Sequence, residues 1–284
     1  IFSLHRLGVG LDGNDVMFAV DGSLEVSPLA FMLTGAGMGI RLSEPVEPKF
    51  YIGGFSVSFQ NEMLSISGAF VKDSDSYTGE LLIRVKQISA AAIAEYSLDG
   101  SLMAFAAVTA NFGGPPAFFV TGLSFGFGYN KRLILPEIDR IEEYPLLEAA
   151  KGRLSRENMA DKLKMYFVNE PGQKFLAAGI RFTSFGIVDS SAIMTVSFGN
   201  DFEIGLLGLS EMTMPPKCEK SPVAYAGLAL KAVIKPKEGV FSVEARLTSE
   251  SYLLSRDCKL SGGFALYYWF GGEHSGDMVI TLGG

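Results

Sequence analysis

Apolar and polar residues alternate with a period of two along much of this 284-residue chain. A side chain that returns to the same face at every second residue belongs to a β-strand. In the segment 55–60, Phe55, Val57 and Phe59 oppose Ser56, Ser58 and Gln60; beyond Asn61 and Glu62, Leu64, Ile66 and Phe70 oppose Ser65 and Ser67. Leu81, Ile83 and Val85 then alternate with Glu80, Arg84 and Lys86. Later, Met194, Val196 and Phe198 run into Gly199-Asn200-Asp201 and out through Phe202, Ile204 and Leu206, and Glu238-Gly239 joins two further runs. Asp12-Gly13, Asp21-Gly22 and Asp99-Gly100 each sit between such runs, where a tight hairpin needs residues that accept positive φ. At ordinary strand lengths this gives roughly 14 to 18 strands. The predicted fold is mainly β: a large antiparallel meander closing as a curved sheet, sandwich or barrel.

One segment breaks the period. From Glu137 to Val168 the charge density rises, and Met159, Leu163, Tyr166 and Phe167 fall at i, i+4, i+7 and i+8, one face of a helix. Ser155 is a fitting N-cap, and Pro145 starts a short helical turn through Leu146 to Ala149. The expected organisation is a single β-rich unit, 1–284, with a helical insertion at 137–168 between two β-rich halves. The start at Ile1 and the strand-like LGG at the end read as an excerpt of a longer polypeptide.

Hydrophobic residues make up 48% of the chain and charged residues 19%, with a mean hydropathy of +0.26, a composition that excludes disorder. No apolar run approaches the ~18 residues of a spanning helix, so no transmembrane helix is expected. The formal charge of −7 comes from scattered acids, which argues against nucleic acid and anionic headgroups as partners. Cys218 and Cys258 can form one bridge at most, fit no zinc spacing, and leave the compartment open.

Four motifs invite a chemical reading. The stretch GLSFG places Ser124 in the nucleophile slot of G-x-S-x-G, but Leu123, Phe125 and Phe127 continue the alternation through it, whereas an elbow needs a sharp strand-to-helix turn. The two histidines, His5 and His274, lie far from it in sequence. GVGLDG at 8–13 matches G-x-G-x-x-G, yet a strand-like run rather than a helix follows. In KDSDSYTGE, Asp73 and Asp75 fit the start of a calcium loop, while Thr78 takes the glycine slot and Arg84 the bidentate Glu position. His274 and Asp277 could form an acid–base pair, but the glycines around them favour a turn between Trp269 and Val279. No catalytic, cofactor or metal site is therefore expected.

With 22 Phe and 11 Met on alternating strands, the sheet must close or enclose something. Phe55, Phe59, Phe70, Phe125 and Phe127 are the candidate lining of an apolar-ligand site, with core filling as the ordinary alternative. Gly35, Gly37 and Gly39, and likewise Ser124, Gly126 and Gly128, form small faces that imply close packing or strong bending.

GLSFGFGYNKRLILPEID with YPLLEA, GFSVSFQNEMLSISGAF, and the closing SYLLSRDCKLSGGFALYYWFGGEHSGDMVITLGG together resemble the family catalogued as domain of unknown function 6603. The resemblance implies a segment of a very large β-rich protein and transfers no catalytic residue. The expected role is a non-enzymatic structural or self-associating module, with the remainder of its parent chain or copies of itself as partners. An apolar-ligand (lipid) binding module is the alternative, and a serine hydrolase the second.

Overall fold

The computed structural model describes the chain apart from residues 1, 13–14, 27–28, 42–47, 52, 61–63, 74–75, 86–87, 153–158, 217–221 and 284. The chain is mainly β, with nineteen strands and three short helical pieces among the described residues. It divides into two compact units, Ile1–Gly100 and Ser101–Gly284.

The first unit contains β1 (Phe2–Asp12), β2 (Asp15–Val26), β3 (Leu29–Arg41), β4 (Pro48–Tyr51), β5 (Gly54–Gln60), β6 (Leu64–Asp73), β7 (Ser76–Val85) and β8 (Ile88–Ser97). Each pairs antiparallel with its neighbour, except that β3 carries β4 along one half and β5 along the other. The pairs Asp12 with Asp15 and Asp73 with Ser76 leave two-residue connections. The Asp12-Gly13 turn itself and the tip of the KDSDSYTGE loop lie outside the described residues.

Asp21-Gly22 is not a hairpin. Strand β2 runs straight through it, and the register shifts there relative to β1 and β3, the mark of a bulge. The carboxylate explains why a turn-like dipeptide is tolerated: Asp21 Oδ1 accepts the Gly35 N–H at 2.6 Å, and Oδ2 pairs with Arg6 Nε at 2.8 Å. Gly35 takes φ +59, which only glycine adopts without strain. Asp21 thus ties three strands at one irregularity. Asp99-Gly100 does turn as expected, with Gly100 at φ +85 and its N–H bonded to Ser97 O at 3.0 Å.

The second unit contains β9 (Leu102–Gly113), β10 (Phe119–Leu133), a 3-10 helix (Ile138–Glu143), α1 (Pro145–Ala150), α2 (Met159–Tyr166), β11 (Phe167–Ser184), β12 (Val188–Phe198), β13 (Glu203–Met214), β14 (Ala224–Lys235), β15 (Val240–Leu247), β16 (Tyr252–Leu253), β17 (Ser255–Lys259), β18 (Gly263–Trp269) and β19 (Met278–Gly283). Consecutive strands from β9 to β15 pair antiparallel, β15 then pairs with β18, and β18 with β19. The short strands β16 and β17 flank the end of β14. Among the described residues no pairing joins β9 to β19, nor β1 to β8. Among the described residues the meander of each unit is therefore unclosed, which fits the curved sheet among the expected forms.

Helical pieces cover one face of this sheet. Pro145 occupies the first turn of α1, as expected, and Ile141, Tyr144, Leu146, Leu147 and Leu163 are fully buried. Of the predicted helical face, Leu163, Tyr166 and Phe167 are buried, although Phe167 already belongs to β11. Ser155 and the side chain of Met159 lie outside the description. Beneath the helices, Phe105 of β9, Phe175 of β11, Ile193 of β12 and Leu207 of β13 complete the core. The glycines of β10 make room for it: a Cβ on Gly126 would lie 2.6 Å from the Phe105 ring, and one on Gly128 would fall on the Phe175 ring. The small face of β10 therefore reflects close packing.

Candidate functional site

Strand β10 points its large residues away from that core. Phe125 is 57% exposed and Phe127 39%, while Gly126 and Gly128 are buried. The pairing registers extend this polarity over the whole sheet. Phe125 stands between Ala106 and Ala178; Ala178 faces Met194, which faces Leu206, and the row continues through Ala232, Val243 and Leu266 to Ile280. A second row begins Val108, Leu123, Ile180 and ends Ala245, Phe264, Leu282. A third begins Ala104, Phe127, Leu176 and ends Phe241, Tyr268, Met278.

Three adjacent rows thus cross nine strands without one charged residue. At the usual strand and residue spacings they span about 40 Å by 20 Å, on the order of 800 Å². That exceeds the few hundred Å² of apolar surface that a monomer ordinarily leaves bare.

Along one end of the rows the chemistry changes abruptly. Tyr129 ends the apolar run of β10, and Lys174 places its ammonium over that ring, 5.4 Å from the centroid. At Asn130 (φ +52) the register of β10 slips, so that Lys131 turns inward, fully buried, and donates to Phe167 O at 3.3 Å. Beyond the slip, Arg132 bonds Glu170 and reaches Asp201 at 3.0 Å; Lys237 lies 3.5 Å from Asp201, and Lys235 bridges Glu203 and Glu238 at 3.7 and 3.3 Å. A collar of paired charges therefore follows the aromatic margin. At the opposite end, the hydroxyls of Ser190 and Ser210 share a 2.8 Å hydrogen bond.

Hydrogen bonds from Arg132 and then Asn200 hold the Glu170 carboxyl below its usual value. Glu203 is pushed the other way by burial, against the attraction of Lys235. A raised pKa means that the folded chain holds the Glu203 proton more tightly than the unfolded chain does. Its favourable contribution is complete below the unfolded value and is lost as pH rises through the raised one. Glu203→Gln is accordingly expected to flatten the decline in stability from the ordinary carboxylate range toward neutrality, which urea melts across that range would measure. An unchanged profile would show that Lys235 already offsets the burial of Glu203.

The five candidate lining residues separate into two sets. In the first unit Phe55 and Phe70 stack at 5.5 Å within a ladder that runs from Phe31 through Tyr77 to Tyr96, and Phe59 pairs with Leu29 and Ile66 on the same face. In the second, Phe125 and Phe127 belong to the uncovered face just described. Sequence reasoning found the alternation of β10 but not which side meets solvent; the signal was the run of glycines opposite the phenylalanines.

Ser124 lies in mid-strand between Ala107 and Gly179, and its hydroxyl is buried without a hydrogen-bond partner among the described residues. His5 bonds Ser23 Oγ at 2.8 Å. His274 and Asp277 do pair, at 3.2 Å, on the exposed turn between β18 and β19. Cys258 is an exposed free thiol and Cys218 lies outside the described residues. Among the described residues there is no cluster of three or more metal-ligating side chains, and no helix is long and apolar enough to cross a membrane.

Each unit also has an outer strand. All six residues of β19 are exposed, as are Leu7, Val9 and Leu11 of β1, and among the described residues each strand pairs on one side only.

A family profile, described as a family of unknown function (DUF6603), matches residues 1–284. No curated protein matches the chain. Among solved structures, the outer membrane protein OprD from Pseudomonas aeruginosa is similar at 8% identity and a TM-score of 0.35, over 99% of this chain and 91% of that one.

Proposed function

Since the chain belongs to the DUF6603 family over its whole length, a family without an assigned activity, we propose from its own surface that it is a non-enzymatic structural module completed by further β structure. The observation that carries this reading is the pair of open edges. A strand paired on one side presents a row of free N–H and C=O groups, a ready template for another strand. Strand β19 carries no evident block: it is Met-Val-Ile-Thr-Leu-Gly, without a charge or a proline. Strands from copies of this chain, or from the remainder of a parent chain, would continue the sheet.

Light scattering combined with amide exchange tests this. The chain's mass should grow with concentration while the β19 amides gain protection. A monomer at every concentration, with β19 exchanging freely, would sink the proposal.

A second reading, an apolar-ligand module that uses Phe55, Phe59, Phe70, Phe125 and Phe127, is favoured by the exposure of Phe125 and Phe127. Native mass spectrometry of protein from its own source, followed by organic extraction, tests it. Recovery of stoichiometric lipid supports it, and an empty protein refutes it.

A further inference from the structure

Resting on the second reading, and naming its ligand, we infer that the uncovered face of the second unit docks onto the hydrocarbon of a zwitterionic lipid bilayer. The face supplies what a membrane surface selects. It is a band about 20 Å tall without a charged side chain, one of its margins carries amphipathic rings such as Tyr129 and Tyr268, and charged residues begin immediately beyond. A protein interface of this size would ordinarily hold a hydrogen bond for every 100–200 Å² or so. Here no charged group, and no hydroxyl but that of Tyr268, stands within the three rows. The bilayer's hydrocarbon asks for none.

The charges decide the class of lipid. The cations of the collar are already engaged, Arg132 with Glu170 and Asp201, Lys235 with Glu203 and Glu238, and Lys237 with Asp201. The chain as a whole carries −7. Anionic headgroups would be repelled rather than gathered, so affinity must come from apolar area. With its edge strands paired on one side only, the chain by itself does not span, because backbone groups cannot stay unpaired in hydrocarbon. The chain therefore lies on the bilayer, with the face sunk to the depth of the headgroup–acyl boundary.

Flotation of the full chain with phosphatidylcholine vesicles tests this, using the double variant Phe125→Glu, Met194→Glu as control. Both positions are more than half exposed, so the fold should survive, as circular dichroism and thermal melting will verify. The expected results are binding that persists from low to high salt, no gain when phosphatidylserine is added, and a loss of about tenfold or more in the variant. Three results would overturn the proposal. They are failure of the wild-type chain to float, binding that requires phosphatidylserine and vanishes with salt, and a wild-type dimer in sedimentation that the double variant splits. Failure to float together with lipid recovered by extraction would reject the bilayer and leave the apolar-ligand reading intact.

Discussion

Gly128→Val is expected to destabilise the second unit by about 3 kcal/mol or more, because the new side chain enters space held by a buried ring. The added Cβ falls on the Phe175 ring, which is 1% exposed and packed beneath the helical layer, so it cannot swing aside. Urea denaturation of the variant measures the loss. The double variant Gly128→Val, Phe175→Ala separates steric conflict from strand propensity, since the two sites touch and their effects should not add. If the pair costs as much as the sum of its members, the ring is not what Gly128 accommodates.

The second large effect contrasts two phenylalanines on neighbouring strands of one sheet. Phe175→Ala should cost about 3–5 kcal/mol and lower Tm by on the order of 10 °C, because the helices above cannot collapse fully into the space. Phe125→Ala, on the opposite face and 57% exposed, should change stability by only about 0.5 kcal/mol. Equal losses at the two sites would show that the outer face is covered in the free chain, and would remove the basis for any partner there.

This contrast marks where the sequence was legible. The antiparallel meander could be read because alternation and hairpin turns are local signals, and the pairs flanking Gly199-Asn200-Asp201 and Glu238-Gly239 formed as expected. Asp21-Gly22 misled because its carboxylate bonds Gly35, fourteen residues away, and that partner turns a hairpin signal into a bulge. Strict alternation would also put Lys131 beside Tyr129 on the outer face, and the slip at Asn130 buries it instead. The facing of Phe125 and Phe127 was hidden for a different reason. Alternation states that two faces differ, but only the packing of the three helical pieces against the glycine side decides which becomes the interior.

Rows that run perpendicular to strands have a consequence for how such a chain can change length. A row is indifferent to the number of strands it crosses. Duplicating a hairpin such as β12–β13 would lengthen each row by two positions, about 10 Å, and leave every existing side chain on its own side. Inserting one residue inside a strand has the opposite effect, since it inverts every side chain beyond the insertion. Evolution can therefore widen or narrow this sheet in whole hairpins, and single-residue insertions are confined to the turns or to slips such as the one at Asn130.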